Sequence, residues 1–184
     1  MTAPLSLRTR RLVLRPLLPG DAPALVAYRD LPEVARYQSW TSFDLDTATR
    51  FVARQADVIP DTPGSWLQLA VVLAATDEIV GDVGLHFRAD DPQQMELGIT
   101  LAPAHQGVGL GREAIEALLG YAFGTLGKHR VIAITDADND AAARLFERVG
   151  LRREAHYVDA VFFKGAWGSE YLFAMLRREW RPHP

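Results

Sequence analysis

Cysteine is absent from the 184 residues of the chain. That absence removes disulfide scaffolds, thiolate zinc sites and a cysteine nucleophile together, and it fits a reducing compartment. No apolar run approaches the roughly 18 residues that a membrane helix needs. The first 16 residues lack the apolar core of a signal peptide, so a cytoplasmic location with no membrane contact is expected. Charge of one sign is scarce as well. The formal net charge is −3, a balance that calls for neither nucleic acid nor an anionic surface. No G-x-S-x-G elbow supports a serine hydrolase. The histidines (His86, His105, His129, His156 and His183) show no H-E-x-x-H or other paired spacing, so no metal is expected. His156 alone stands where a late strand would carry it toward a substrate cleft. Asp136-Ala137-Asp138-Asn139-Asp140, followed by Glu147, imitates a calcium loop. Ala141 stands where that loop's sharp turn requires glycine, and a strand rather than a helix precedes it.

Enough apolar material remains for a core. Hydrophobic residues make up 48% of the chain and charged residues 23%, ordinary values for a folded protein of one domain spanning 1–184. Leu12 and Leu14 share one face of an opening strand over 11–16. Asp21 is the expected N-cap of a helix to about Arg29, and Asp44 that of a second helix over 45–58. Runs over 66–75, 79–87 and 94–101, parted by polar turns, predict an antiparallel meander. Leu110, Ala114, Leu118, Ala122 and Leu126 then recur at helical spacing over 109–126. A strand over 130–135, a helix over 139–149 stopped by Gly150, and β segments over 152–163 and 169–176 complete the pattern. Gly165 and Gly168 fall in the turn between the last two. The fold class is α+β, with a mixed, mostly antiparallel central sheet of about seven strands flanked by helices.

The strongest chemical signal is Gln106-Gly107-Val108-Gly109-Leu110-Gly111-Arg112, between a strand and a helix. Alternating glycines remove Cβ atoms where backbone must come close to a ligand. The helix behind them offers unpaired N–H groups and a partial positive charge, which suits a phosphate or pyrophosphate. A dinucleotide fingerprint counted from Gly107 would need glycine where Arg112 stands, and no acidic residue follows at the required distance. A Walker loop would need a Gly-Lys-Ser/Thr ending. A glycine-rich turn with no ligand is the remaining plain reading.

The flanks of the loop resemble the GNAT acetyltransferase superfamily, whose pyrophosphate loop reads Gln/Arg-x-x-Gly-x-Gly/Ala. Gln106, Gly109 and Gly111 fill its defined places. The likeness extends to the RimJ/RimL-type branch. It is carried by Thr9 to Pro16, by Glu96-Leu97-Gly98-Ile99, by Asn139 with Leu145-Phe146-Glu147-Arg148-Val149-Gly150-Leu151, and by Trp167 to Leu176. The resemblance implies acetyl-CoA as co-substrate and a sheet splayed between its fourth and fifth strands. Pantetheine would lie there like a missing strand, against backbone around Ile99, Thr100 and Leu101. Asn139 would bond its amides, Phe146 would lie beside it, and Arg112 would meet a phosphate.

Acyl transfer to nitrogen needs an uncharged amine. Deprotonating a lysine-like amine at pH 7 costs about 4–5 kcal/mol, an α-amine only about 1 kcal/mol. The resemblance puts a base or water-holding carboxylate at Glu96, on the strand before the loop. A backbone N–H near Ile99 or Leu101 would steady the oxyanion as the amine attacks. Relatives often carry a serine or a tyrosine as general acid, and this chain has Ala142 and Phe146 at those positions. Losing that acid costs roughly 2 kcal/mol for a thiol leaving group near pH 7. Two readings follow: an N-acetyltransferase acting on a protein N-terminus or small-molecule amine, and a CoA-binding module without turnover. Tyr37, Trp40, Phe43 and Trp167 are the candidate walls of an acceptor pocket, with core packing as the plain alternative. A homodimer through an exposed edge or the late β segments is compatible with the sequence, which specifies none.

Overall fold

A computed structural model describes residues 5–181 of the chain; His183 lies outside the described residues. Eight strands form one sheet in the order β1-β2-β3-β4-β5-β6-β8-β7. They are β1 (Leu7–Arg8), β2 (Leu12–Pro16), β3 (Trp66–Leu73), β4 (Ile79–Phe87), β5 (Gln94–Leu101), β6 (Arg130–Asp136), β7 (Arg152–Phe163) and β8 (Ala166–Leu176). The strand beyond the expected seven is β1, two residues paired with Leu14 and Val13 of β2. Every neighbouring pair is antiparallel except β5 with β6. The last strand starts at Ala166, so Gly168 lies inside β8 rather than in the turn. The turn itself is Lys164-Gly165, both with left-handed φ (50° and 85°), the hairpin geometry whose twist matches the strands.

The helices are α1 (Ala22–Arg29), α2 (Pro32–Ala35), α3 (Leu45–Gln55), α4 (Leu110–Gly120) and α5 (Asp140–Arg148). Asp44 caps α3 by accepting from Thr47 N–H at 2.8 Å, as the sequence predicts. Asp21 stands at the N-cap position of α1, but its side chain makes no cap bond there. Its carboxylate accepts instead from Leu18 N–H at 2.8 Å and from both Nη atoms of Arg15. The helical repeat expected to run to Leu126 is α-helical only to Gly120. It then widens into a π-type turn, Tyr121–Thr125, with Gly124 beside the Trp180 ring.

Strand alternation divides the core between two faces. On one, Met95, Leu97, Val131, Ala133 and Phe173 pack under Ala114, Ile115 and Leu118 of α4 and Phe146 of α5. On the other, Ala70 and Val72 meet Leu25, Ala48 and Val52 of α1 and α3. The second face also holds a buried polar knot. Asp82, fully buried, accepts from Tyr28 Oη at 2.5 Å, from Arg29 Nε and Nη2 at 3.0 and 2.6 Å, and from Gln68. Burial first, then the neighbouring Asp82 charge, pushes the Tyr28 hydroxyl well up, so it stays a donor. Among the described residues no helix is long and apolar enough to cross a membrane.

Candidate active site

The residues from Gln106 to Arg112 connect β5 to α4. Gly107 and Gly109 have left-handed backbone, φ 74° and 85°, a conformation that costs other residues about 1–2 kcal/mol. Gly109 is the N-cap of α4 and supplies no side-chain bond. The N–H groups of Leu110, Gly111 and Arg112 therefore have no carbonyl one turn behind them. Gly111 serves packing: a Cβ there would stand 3.1 Å from Leu145 Cδ2 and 3.3 Å from Leu101 Cδ1.

Two polar ties hold this loop. Gln106 Nε2 donates to Leu101 O at 2.9 Å. On the far side Arg11 donates from Nη1 to Val108 O at 3.0 Å and from Nε to Glu113 Oε2 at 2.6 Å. Glu113 Oε1 also accepts from Arg11 N–H at 2.7 Å and the Thr9 hydroxyl at 2.6 Å. Burial pushes the Glu113 carboxyl up, but the Thr9 and Arg11 bonds outweigh it and hold it below the ordinary carboxylate range.

Beside the loop the sheet parts. The β5–β6 ladder is only Gln94 with Arg130, Met95 with Val131 and Glu96 with Ile132. Beyond it β5 continues to Leu101 and β6 to Asp136 without pairing to each other. The bond from Ala102 N–H to Val80 O turns alternate residues, Thr100 and Gly98, toward β4. The backbone groups of Ile99 and Leu101 consequently face the gap, while those of Thr100 do not. On the opposite wall, Ala137 N–H donates to Ser169 O, so Ala133 and Thr135 bond β8 and the backbone of Ile134 and Asp136 faces the gap.

Glu96 stands at the closed end of the gap, on the α1–α3 face. It belongs to a row across the strands, Trp66, His86, Glu96 and Ile132. Its side chain is 21% exposed and its Oε2 lies 3.5 Å from His86 Nδ1. At the open end, on the same face, is a cavity of about 540 Å³ between the tip of the β7–β8 hairpin, the end of β6 and Tyr37. Its charged lining residues are Asp136, Asp138, Asp159 and Glu170; among the described residues no lysine or arginine lines it. Burial, with the Asp136 and Glu96 charges behind it, pushes the Glu170 carboxyl up. Such a carboxyl gains from any cation brought beside it. Lys164 Nζ donates to Ala35 O at 2.6 Å and ties the hairpin tip to α2.

The sequence-derived candidates are thus distributed unevenly. Gln106 to Arg112, Ile99 and Leu101 meet at one edge of the gap. Asn139 Oδ1 accepts from Ala142 N–H at 3.1 Å, so it caps α5. Arg112 Nε donates to Glu116 at 2.7 Å, one turn along its own helix. Phe146 is 2% exposed and packs on Phe173, with almost no surface to offer a ligand. Tyr37 and Trp167 line the cavity. Trp40 and Phe43 do not: with Phe51 they enclose the Arg29 guanidinium at 4.4, 4.8 and 4.5 Å from their ring centres, because that buried cation needs aromatic faces around it. His156 lies against Tyr171, whose ring packs into the α4–α5 core, and so is on the opposite face from Glu96. Sequence reading missed Arg11 with Glu113, His86, and the lining acids Asp159 and Glu170. No local signal pairs residues 102 positions apart. Asp136 and Asp138 carried a signal as part of the false calcium loop, and they line the cavity instead.

Comparison with known proteins gives the family and the fold. Residues 11–152 match the family described as the acetyltransferase (GNAT) domain. An uncharacterized N-acetyltransferase, p20, of Bacillus licheniformis is 28% identical over 176 residues, covering 95% of this chain and 98% of its own. A spermidine N(1)-acetyltransferase of Vibrio cholerae is 35% identical over 72 residues, 39% of this chain and 42% of its own. Among solved structures, a GNAT-family acetyltransferase from Bacillus anthracis superposes with a TM-score of 0.86 at 24% identity, covering 95% of this chain and all (100%) of its own.

Proposed function

This chain belongs to the GNAT acetyltransferase family, and from that premise we propose that it moves an acetyl group from acetyl-CoA to a primary amine carried by a small polycation. One observation carries the reading. The β5–β6 ladder stops at Glu96 and Ile132, and the gap beyond it runs from exposed backbone groups to a glycine cradle on one side and an acid-lined cavity on the other.

The residues present fit acetyl-CoA. Left-handed Gly107 has open space where its Cβ would be, and the Leu110, Gly111 and Arg112 amides at the helix end would hold a pyrophosphate. Ile99 and Leu101 would meet pantetheine as a neighbouring strand does. When bound, the co-substrate supplies an activated thioester carbonyl. Glu96 accepts a proton from the incoming ammonium, directly or through one water, which exposes the nitrogen lone pair. An N–H of Ile99 or Leu101 steadies the carbonyl oxygen as charge gathers on it. The nitrogen then holds a second proton, which leaves with the thiol.

Acidity of the cavity supports the acceptor class. Asp136, Asp138, Asp159 and Glu170 line it, and each carboxylate favours cationic sites along a polyamine. Tyr37 and Trp167 add aromatic faces for a methylene chain or a cation. The relatives include both a spermidine N(1)-acetyltransferase and a ribosomal protein uS5-alanine N-acetyltransferase, so the choice between them rests on the acid lining. The test is thiol release from acetyl-CoA with spermidine, an alanine-initiated peptide and an aminoglycoside. Release with spermidine first among them is expected. Preference for the peptide would overturn the acceptor class and leave the reaction standing.

Ala142 and Phe146, which donate no proton, favour one second reading, a CoA-binding module without turnover. Tight CoA binding with no thiol release for any amine would establish it.

A further inference from the structure

His86 is the feature the catalytic reading leaves unused. Its ring lies flat on Trp66, centres 4.6 Å apart and planes 5° from parallel. Room for that stack comes from Gly84, where a Cβ would press on the Trp66 ring at 3.3 Å. The stack fixes the plane of the ring, and its Nδ1 faces Glu96 Oε2 at 3.5 Å. That distance is just beyond a hydrogen bond, and His86 Nδ1 is a buried polar atom with no hydrogen-bond partner among the described residues. A buried nitrogen left without a partner destabilises the fold.

We propose that His86 is the positioning and proton-sharing partner of Glu96: the proton taken from the acceptor amine is held between Glu96 Oε2 and His86 Nδ1. The proposal rests on Glu96 as the base. At rest, a carboxylate lone pair faces an imidazole nitrogen whose own lone pair is free when the ring carries its hydrogen on Nε2. Two acceptors then confront each other with nothing between them. One proton satisfies both. In the step, an amine N–H bond breaks and its electrons stay on nitrogen. The proton forms an O–H bond on Glu96, which donates to His86 Nδ1, and the pair returns it to solvent after the product leaves. Other charges facing the pair are Arg88, already bound to Asp90, and Glu170 with Asp136 behind it. Trp66 closes the third side, and β6 offers Ile132.

Nitrogen-15 NMR of imidazole-labelled protein tests the pair without any acceptor. The hydrogen of neutral His86 is expected on Nε2, and its Nδ1 chemical shift is expected to move in Glu96→Gln. Identical nitrogen shifts in the two proteins would overturn the proposal. Kinetics supply the second arm, with spermidine as the probe. His86→Gln keeps an amide for Glu96 but cannot hold a proton; His86→Phe keeps the stack on Trp66. Both are expected to lose about tenfold in kcat, with little change in KM, and to displace the acid limb of the pH–rate profile. A wild-type profile in His86→Gln would make the residue a spacer only. Should the wild-type protein release no thiol with any amine, the proposed activity fails, and the NMR result decides by itself whether the two groups share a proton.

Discussion

The two sides of the gap are built from different materials. The loop side is main chain: left-handed Gly107 and Gly109, helix-end amides, and the unpaired edge of β5. The cavity side is side chains drawn from segments far apart, Tyr37, Asp136, Trp167 and Glu170. Main-chain groups at a glycine loop change little when surface residues change, so that side is rigid in its chemistry. The cavity side is rewritten by any substitution along three separate segments. On the proposed function, that contrast makes the donor side fixed and the acceptor side adaptable.

Substitutions on each side should separate them. The largest effect is expected from Gly111→Val, which drives a branched side chain into Leu145 and Leu101. Overpacking of this kind costs about 1–3 kcal/mol, and CoA affinity by calorimetry should fall at least about tenfold. Normal affinity would mean that α4 is not held where the loop needs it. Next, Asp136→Asn with Glu170→Gln should raise KM for spermidine about tenfold, one or two weakened ion contacts at roughly 1 kcal/mol, and leave CoA affinity unchanged. A matching loss of CoA affinity would erase the division between the two sides.

A smaller effect is expected in stability from Glu113→Gln, which loosens the tie from Arg11 to the loop. The carboxyl sits below its ordinary range in the folded protein, so its contribution is full above the unfolded value near 4.3 and fades as pH falls through the lower folded value. Thermal melts should therefore show the variant less stable at pH 7, with the difference shrinking toward pH 3. A difference independent of pH would assign the loss to packing. Arg112→Ala should do least, within about threefold in CoA affinity, because its guanidinium is engaged with Glu116 at the surface.

Legibility in the sequence divided along the same line. The loop, the caps at Asp44 and Asn139, and the bounds of β4 and β5 are local matters, settled by neighbours within a few residues. The splay was implied by family resemblance and not by any spacing. Facts that depend on register were out of reach. His86 meets Glu96 only because β4 and β5 pair with that offset, and a slip of one residue would put them on opposite faces. Trp40 and Phe43 look like pocket walls by type, yet the buried Arg29–Asp82 pair claims them. Nothing along the chain announces that an arginine near its start needs an aromatic enclosure.

The single parallel seam has a mechanical consequence. Five strands lie on one side of it and three on the other, joined by the rungs at Gln94, Met95 and Glu96 and by the covering helices. The two wings are thus stitched together most weakly where a ligand lying in the cleft would add stitches of its own. Amide deuterium uptake at Ile99, Leu101, Ile134 and Asp136 should slow when CoA is added, and the protein should melt as a more strongly coupled whole.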